Sequence, residues 1–410
     1  MTTDSKTHAE AALGQPRADI FSKAHEFTRA REAMAIGIYP FFTPFDDSEG
    51  TVVRSGDREI LMLGSNNYLG LTTHPKVREA AIEAVRRYGT SVTGSRFMNG
   101  TLSLHRELER RLAQFVGKPS ALVFSTGFQT NLGTISAIVG RGDIVITDKE
   151  DHASIIDGCR LSYGEMRRFK HSDMDDLERV LSQIPESTAK LVIVDGVYSM
   201  GGDIAPLPEL VRVCRKYGAR LLVDDAHSMG VLGNGRGTAA HFGLTEEIDL
   251  ITGTFSKSFA SIGGFVAGDD QVVHYIQHFA RALIFSAALP APNVATVLAA
   301  LDIIENEPEH VQRLWDNTSY MKQHIKALGF EIGDSQTPII PIIVRDEGLT
   351  LIFWKQLFEA GLYTNAVIPP GVPPNMSLLR TSYMATHTRQ QLDRALEILD
   401  KVGHAVGILS

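Results

Sequence analysis

Five short apolar runs, separated by stretches with helical periodicity, constrain the fold of this chain more than any other feature. Each run is apolar at successive positions, which is typical of strands covered on both faces. Segments between them, such as LSLHRELERRLAQFVG and LPELVRVCRKYG, repeat apolar residues at helical spacing. This alternation predicts an α/β fold around a mostly parallel sheet. The runs are ALVFSTGF, DIVITD, KLVIVDGVYS, RLLVDDAHS and DLITGTFS.

The periodicity changes near residue 295 and predicts three parts in the 410-residue chain. Residues 1–60 are expected to form an N-terminal segment with a polar leader, a helix and an extended aromatic arm, IYPFFTPF. Residues 61–295 are expected to form the large α/β domain. The first part of residues 296–410 has apolar residues at helical spacing and predicts helices. The remainder predicts strands followed by a final helix. We expect them to form a smaller C-terminal α+β domain.

Composition and charge exclude several classes of function. The net charge is −8 and the basic residues are scattered, which argues against a nucleic-acid partner. Cys159 and Cys214 are the two cysteines, and neither has the neighbours of a zinc site or a disulfide framework, so we expect no metal and a reducing compartment. The N-terminus does not resemble a signal peptide, and no run of ~18 apolar residues occurs. A cytoplasmic location is predicted.

One lysine follows the last of the apolar runs. Lys257 stands in DLITGTFSKSFASIGGF between apolar and small residues, with no acid beside it. A lysine in an apolar pocket titrates low enough to act as a nucleophilic amine. The alternative is an ordinary solvated lysine at a strand end.

Polar residues also follow other strands, at the edge of the sheet where ligands bind in open α/β folds. The turn at Gly127 and Phe128 opens a helix and could bind a phosphate, or the preceding Ser and Thr could simply cap it. Asp224 and His227 follow the end of a strand. If Asp224 is buried there, its carboxylate needs a cationic or hydrogen-bond-donating partner; the alternative is that it caps the next helix. His152 could stack on an aromatic cofactor or satisfy a loop. Taken together, these residues and Lys257 meet the needs of a pyridoxal 5′-phosphate (PLP) site, in which an amine forms a Schiff base and an acid keeps the ring nitrogen protonated.

Six motifs together resemble those of the α-oxoamine synthases, from about residue 35 to the C-terminus. Members of this family are fold-type I PLP-dependent transferases that condense an amino acid with an acyl-CoA thioester and release CO2. The resemblance implies PLP as cofactor, a large domain with a mostly parallel seven-stranded sheet, and a smaller C-terminal α+β domain. The motifs are TGSRFMNGT, FSTGFQTNLG, DHASIIDG, VYSMGGDIAPL, VDDAHSMGVLGNGRG and GTFSKSFASIGG.

The resemblance also implies roles for individual residues. Lys257 would hold PLP and later move the Cα proton, while Asp224 would bind the ring nitrogen and His227 the phenolic oxygen. His152 would stack on the ring, and Arg380 with Asn67 would bind the substrate carboxylate. The remaining cofactor contacts implied are Ser199 at the ring hydroxyl, and Thr254, Gly127, Phe128, Ser286 and Ala287 at the phosphate. Since Ser286 and Ala287 match a segment that reaches the neighbouring subunit's phosphate, a homodimer with its active site at the interface is implied.

Within the family, LFEAGLYTNAVIPPGVPPNMSLLRTSYMATHT is most similar to the soluble bacterial serine palmitoyltransferases, which implies L-serine and palmitoyl-CoA as substrates. The aromatic arm carries no cation for a carboxylate-ended acyl chain, which also favours a long alkyl chain. Ile368 stands where some of these enzymes have an arginine. The open alternatives are another condensing member, such as an 8-amino-7-oxononanoate synthase or a 2-amino-3-ketobutyrate CoA ligase, an aminotransferase, and a non-catalytic partner subunit, which Lys257 disfavours. Weak peripheral contact with a membrane, where a lipid-like product would leave, also stays open.

Overall fold

The computed structural model describes residues 19–48 and 50–410, so most of the predicted leader lies outside the described residues. Of the described residues, 19–43 belong to one compact unit, and those from Pro44 to Ser410 belong to a second. In the first unit, the predicted helix is divided into two short ones, α1 (Ser22–His25) and α2 (Arg29–Ala35). The aromatic arm follows them, with the rings of Tyr39 and Phe41 in edge-to-face contact at 5.4 Å.

The second unit is organised around a seven-stranded sheet. Its order is β4-β10-β9-β8-β7-β5-β6, and every neighbouring pair from β9 to β6 is parallel. β10 is the one strand of this sheet in the opposite direction, and it is antiparallel to both β4 and β9. The strands are β4 (Ser120–Phe124), β5 (Ile144–Asp148), β6 (Glu165–Phe169), β7 (Lys190–Asp195), β8 (Arg220–Asp224), β9 (Leu250–Thr254) and β10 (Gly264–Gly268).

Helices cover both faces of this sheet. Leu122 faces a core cluster that includes Ile135 and Ile155, whereas the next residue, Val123, faces a second cluster that includes Leu108 and Leu301. This alternation is the two-residue period of a strand buried on both sides. The helices on the first face are α5 (Gly127–Ile138), α6 (Ala153–Leu161), α10 (Asp270–Phe279) and α11 (Arg281–Ile284); those on the second face are α3 (Pro75–Tyr88), α4 (Ser103–Val116), α7 (Met174–Ser182), α8 (Leu207–Lys216) and α12 (Ala291–Asn306).

Two smaller sheets complete the second unit. The first has the strand order β11-β14-β13, and all its pairs are antiparallel. The second has the order β1-β2-β3-β12. It connects the start of the unit with its C-terminal part, because β12 pairs in parallel with β3. A capping box between Thr388 and Gln391 begins the final helix. The elements are β1 (Asp47–Ser48), β2 (Val52–Ser55), β3 (Arg58–Met62), β11 (Ile339–Arg345), β12 (Leu362–Tyr363), β13 (Asn365–Val367), β14 (Ser377–Ser382), α9 (Thr238–His241), α13 (Glu309–Ala327), α14 (Glu347–Glu359) and α15 (Arg389–Ala405), with 3-10 helices at Leu71–Thr73 and Thr245–Glu247.

The predicted fold class is confirmed: a seven-stranded, mostly parallel α/β sheet with smaller α+β structure toward the C-terminus. All five predicted apolar runs form strands, while the polar edge strand β6 and the glycine-containing β10 were not predicted from periodicity. The predicted domain limits stay predictions, although β3 spans the limit at residue 60 and pairs with a C-terminal strand. Among residues 19–48 and 50–410, no helix combines the length and the apolar character needed to cross a bilayer.

Candidate active site

A cavity of about 330 Å³ lies at the carboxyl ends of the central strands, where a doubly wound sheet places its ligands. Lys257 lies beyond β9, Asp224 ends β8, and His152 follows β5. The sheet therefore brings together residues that are more than a hundred positions apart in the sequence. The lining is Thr126, Gly127, Phe128, Asn131, His152, Ser154, Asp195, Ser199, Asp224, Ala226, His227, Gly253, Thr254, Ser256, Lys257, Ile262 and Gly263.

Lys257 presents an amine of unusually low basicity to this cavity. Burial lowers the pKa of this amine to about 8. Asp224 and Asp195 attract the charged form and raise the pKa, but the loss of solvation on burial is the larger effect. The side chain is only partly buried, so its amine still faces the cavity. An appreciable fraction of uncharged amine is therefore present near neutral pH, as a nucleophile requires.

Asp224 is a nearly buried carboxylate that two donors hold in place. Asn131 Nδ2 donates to its Oδ2 at 2.6 Å, and the backbone N–H of Ala226 donates to Oδ1 at 3.0 Å. Asn131 is fixed in turn, since its Oδ1 accepts from Thr252 Oγ1 at 3.0 Å and its Nδ2 also contacts Ser154 Oγ at 2.9 Å. The acid is thereby oriented toward the cavity before any ligand binds.

A second acid, Asp195, lines the cavity and was missed by the sequence analysis. Burial and the nearby Asp224 raise its pKa well above the usual value, and burial together with Asp195 does the same to the pKa of Asp151. The backbone N–H of Asp195 donates to Asp151 Oδ1 at 3.0 Å, and that of His152 donates to Asp195 Oδ2 at 3.0 Å. The pair thus fixes the start of the segment that carries His152.

The two histidines are held as neutral rings. His227 shares a 2.7 Å hydrogen bond between its Nδ1 and the hydroxyl of Tyr68, and burial lowers its pKa well below the usual value. His152 bonds through Nδ1 to Ser154 Oγ at 2.8 Å, and burial lowers its pKa as well. The Phe128 ring meets His152 edge to face at 6.5 Å, so an aromatic ligand could enter beside both side chains.

The first turn of α5 forms the anion-binding end of the cavity. Thr126 caps this helix by accepting from the Gln129 N–H at 3.0 Å, while the N–H groups of Gly127 and Phe128 have no acceptor within the helix. A Cβ atom on Gly127 would lie 2.7 Å from Thr254 Oγ1, so glycine alone lets the turn approach that hydroxyl. Backbone donors, a hydroxyl and the helix dipole suit a phosphate.

Ser286 and Ala287 lie beside this turn without lining the cavity of their own chain. Ser286 Oγ accepts from Gln129 Nε2 at 3.1 Å, and the carbonyl of Ala287 accepts from Ser125 Oγ at 2.5 Å. Ala287 also forms an isolated antiparallel β-bridge with Ser95, which belongs to the TGSRFMNGT motif. Their contribution to a neighbouring phosphate stays a prediction.

Arg380 on β14 is buried behind Ser199. Its Nε donates to the Ser199 carbonyl at 2.5 Å, and its Nη2 donates to Asn66 Oδ1 at 3.0 Å. The expected partner, Asn67, instead donates to Thr72 Oγ1 at 2.8 Å and faces a different cavity. Consecutive side chains in this extended turn point apart, so Asn66 rather than Asn67 contacts Arg380. The contribution of Asn67 to carboxylate binding stays a prediction.

One cluster of metal-ligand types occurs among the described residues, formed by His74, Glu307 and His310. His74 Nδ1 accepts from the Lys76 N–H at 3.3 Å, and Glu307 pairs with the Lys76 side chain at 2.5 Å. Arg313 Nη2 donates to His310 Nδ1 at 3.0 Å. The other ring nitrogen of His310, Nε2, therefore carries the proton and lies 3.4 Å from Glu307 Oε2. Both imidazoles thereby use the acceptor nitrogen that a cation would need.

The residues that line the cavity at Lys257 and Asp224 fit PLP. The half-buried amine, the oriented acid of Asp224 and the donor-rich turn at Gly127 are the three groups that its aldehyde, ring nitrogen and phosphate require. The fold and site together define a fold-type I PLP-dependent enzyme. The model of the class I and II aminotransferases matches residues 58–399. The chain belongs to this family and, within it, to the α-oxoamine synthases.

The similar proteins are named for two enzymes. A serine palmitoyltransferase of Sphingobacterium spiritivorum is 50% identical over 377 residues, which cover 92% of this chain and 94% of the relative. The solved serine palmitoyltransferase of S. paucimobilis, with PLP and myriocin bound, is 38% identical with a TM-score of 0.93, covering 96% of this chain and 100% of the other. An 8-amino-7-oxononanoate synthase of Thermoanaerobacter pseudethanolicus is 43% identical over 383 residues, or 93% of this chain and 97% of the relative.

Proposed function

We propose that the chain catalyses the serine palmitoyltransferase reaction, the decarboxylative condensation of L-serine with palmitoyl-CoA. The serine Cα loses its proton and forms a carbon–carbon bond with the thioester carbon, while the carbon–sulfur bond breaks and CoA leaves as its thiol. The bond from Cα to the carboxylate then breaks to release CO2, and a proton takes its place on Cα. The products are 3-ketodihydrosphingosine, CoA and CO2. The observation that carries the proposal is the amine of Lys257, whose pKa burial lowers to about 8, in one cavity with the oriented Asp224. The 50% identity to a serine palmitoyltransferase supports the choice of substrates.

Lys257 acts as nucleophile and then as base. Bound PLP supplies an aldehyde for amines and a ring that accepts electrons from the amino acid Cα. Lys257 would hold the cofactor's aldehyde through its uncharged amine. The same amine is suited to accept the serine Cα proton, since its lowered pKa leaves part of it uncharged near neutral pH.

Asp224 and the two histidines hold the remaining groups of the cofactor. Asp224 would keep a proton on the ring nitrogen, and Asn131 maintains the orientation in which it can do so. His227, neutral and bonded to Tyr68, would bind the phenolic oxygen. His152 would stack on the outer face of the ring, and Ser199 would bind near the ring hydroxyl.

Arg380 anchors the serine carboxylate. A guanidinium matches a carboxylate with two parallel hydrogen bonds, and Arg380 is already fixed by Ser199 and Asn66. Anchoring the carboxylate orients the Cα proton toward Lys257. The same group leaves as CO2 once the new ketone can accept its electrons.

We propose that the active form is a homodimer in which Ser286 and Ala287 reach the phosphate of the neighbouring subunit. Large apolar side chains near this segment support it, because Phe97, Met98 and Phe285 are 54%, 76% and 74% exposed in one chain. A backbone hydrogen bond from Ala288 to Gly94 at 2.8 Å ties the two segments together. We also propose a cytoplasmic location, which the two free cysteines support, with weak peripheral membrane contact where the product leaves.

The test offers L-serine, L-alanine and glycine, each with palmitoyl-CoA, pimeloyl-CoA and acetyl-CoA, while CoA release is followed. Serine with palmitoyl-CoA is expected to give the highest kcat/KM, together with the long-chain ketone product by mass spectrometry. A preference for alanine with pimeloyl-CoA would instead assign the 8-amino-7-oxononanoate synthase reaction. The Lys257→Ala variant serves as the control and is expected to release no CoA above background.

A further inference from the structure

His171 lies outside the PLP cavity and joins two carboxylates from separate parts of the chain. Its Nδ1 lies 3.0 Å from Asp148 Oδ1, and its Nε2 lies 3.0 Å from Asp203 Oδ2. Asp203 ends segment 198–203, which we call the 198–203 loop. We propose that His171 is a positioning residue for the substrate carboxylate, because it holds through Asp203 the loop that fixes Arg380. The inference rests on the proposed function and extends it to a side chain that does not line the cavity.

The bridge between the two carboxylates requires a protonated imidazole. Carboxylates only accept hydrogen bonds, and a neutral imidazole has one N–H, so both bonds form when the ring of His171 carries a positive charge. Burial alone would lower the pKa of this ring, but the bonds to Asp148 and Asp203 and the charge of Glu150 raise it to about 10. The bridge is therefore charge-assisted at both ends near neutral pH.

Asp148 is the fixed end of the bridge. It ends β5 and is fully buried. Its Oδ1 accepts from the Glu150 N–H at 2.9 Å, and its Oδ2 accepts from the Ser172 N–H at 2.8 Å. These backbone donors hold the carboxylate independently of His171. The imidazole therefore fixes Asp203 relative to the end of a central strand.

The 198–203 loop is tied together at its two ends. The Tyr198 N–H donates to the Asp203 carbonyl at 3.0 Å, and the Gly202 N–H donates to the Tyr198 carbonyl at 2.9 Å. The buried ring of Tyr198 also meets the ring of His171 edge to face at 4.4 Å. His171 therefore contacts both ends of the loop, one through a hydrogen bond and the other through a ring contact.

The middle of this loop reaches the active site. Ser199 lines the PLP cavity, and its carbonyl accepts from Arg380 Nε at 2.5 Å. The direction of the guanidinium therefore depends on where the loop places this carbonyl. Lys257 and Asp224, which meet the aldehyde and the ring nitrogen, follow other strands. A displaced loop should thus weaken binding of the amino acid carboxylate more than binding of PLP.

The experiment compares two ligands of the PLP-loaded protein, L-serine and 2-aminoethanol, which is serine without its carboxylate. The change in visible absorbance gives the apparent dissociation constant of each. His171→Leu is expected to raise that of L-serine about tenfold and to keep that of 2-aminoethanol within about twofold. Asp203→Ala should do the same. It leaves the pair of His171 and buried Asp148 intact, so it keeps the inference testable if His171→Leu folds poorly.

The double variant tests whether His171 and Asp203 act through one bridge. Its loss of L-serine affinity should stay within about twofold of the larger single loss, since residues that act through one contact are not additive. Arg111→Leu is the matched control, because Arg111 also donates to two carboxylates, Asp302 at 2.7 Å and Glu305 at 2.6 Å, but joins α4 to α12. It should keep the wild-type affinity for both ligands.

Three results would overturn the assignment. Equal losses with the two ligands would show a general defect of the cavity, and additive losses in the double variant would show two separate roles. A lower free energy of unfolding with unchanged L-serine affinity would show a structural role alone. Failure of the proposed function is distinguishable, because the wild type would then release no CoA from palmitoyl-CoA with L-serine. L-Alanine and glycine, which share the carboxylate, would then replace L-serine in the same comparison.

Discussion

Asn131 donates a 2.6 Å hydrogen bond from Nδ2 to Oδ2 of Asp224, across 93 positions of sequence. The amide belongs to α5, the helix whose first turn forms the anion-binding end of the site, while the acid ends β8. One helix therefore sets the positions of the phosphate donors and of the acid that meets the ring nitrogen. The distance between the two ends of the cofactor site is fixed by this arrangement.

Replacing Asn131 by Ala should weaken PLP binding. A hydrogen bond to a charged group contributes about 1.5–3 kcal/mol, so the dissociation constant of PLP is expected to rise about 10- to 100-fold, as measured by absorbance titration. Thr252→Val is the matched control, because it removes the bond that Thr252 donates to Asn131 and leaves the bond to Asp224. Equal PLP affinity in Asn131→Ala and the wild type would contradict the role of Asn131.

Replacing Arg380 by Lys should raise the KM for L-serine about tenfold or more, because an ammonium cannot reproduce the two-point contact of a guanidinium with a carboxylate. The KM for palmitoyl-CoA should stay within about twofold. Steady-state kinetics with each substrate varied in turn measures both. The control is Arg394→Lys on the exposed surface of α15. A parallel rise in both KM values would show a general structural defect instead.

Attachment of PLP to the apoenzyme should depend on pH through Lys257. Since burial lowers the pKa of this amine to about 8, the second-order rate should rise about tenfold per pH unit below pH 7 and level off above about pH 8. Stopped-flow absorbance in the visible range follows the reaction. A free alkylamine, measured in parallel, corrects for the titration of PLP itself. A rate that keeps rising toward pH 10 would show a fully solvated lysine.

His171 should stabilise the fold most at low pH. Burial alone would lower its pKa, but hydrogen bonds to Asp148 and Asp203, each of 3.0 Å, raise the pKa to about 10. Because the folded value exceeds the unfolded one, the stabilisation is complete below about pH 6.5 and is lost as pH rises toward 10. The wild type should therefore exceed His171→Gln in free energy of unfolding by on the order of 2–3 kcal/mol at pH 6, and by less at pH 10. Urea unfolding at both pH values measures the difference, and a difference independent of pH would contradict the prediction.

Much of the fold could be predicted from periodicity, because strands covered on both faces are apolar at every position. The runs before Asp224 and Lys257 are of this kind, and both became strands. β6 was missed because it lies at the sheet edge and three of its five residues are charged, and β10 was missed because two of its five residues are glycine. The residues at strand ends were predictable for the same reason, since the sheet fixes where each strand ends.

The supporting residues of the site could not be predicted in this way. Asn131 lies inside a helix, and no local pattern says which of its polar residues faces a strand end far along the chain. Asp195 ends a predicted strand but resembles any other acid there, and its raised pKa depends on burial beside Asp224. Asn66 and Asn67 are neighbours whose side chains point apart, a difference that only backbone geometry decides.

Borohydride reduction of the PLP-loaded protein, followed by peptide mapping, measures most directly which amine holds the cofactor. Reduction is expected to leave one pyridoxyl phosphate group per chain on the peptide that contains Lys257, and Lys257→Arg should bind none covalently. A label on another lysine, or a protein that stays colourless with PLP and is not labelled, would contradict the assignment of Lys257.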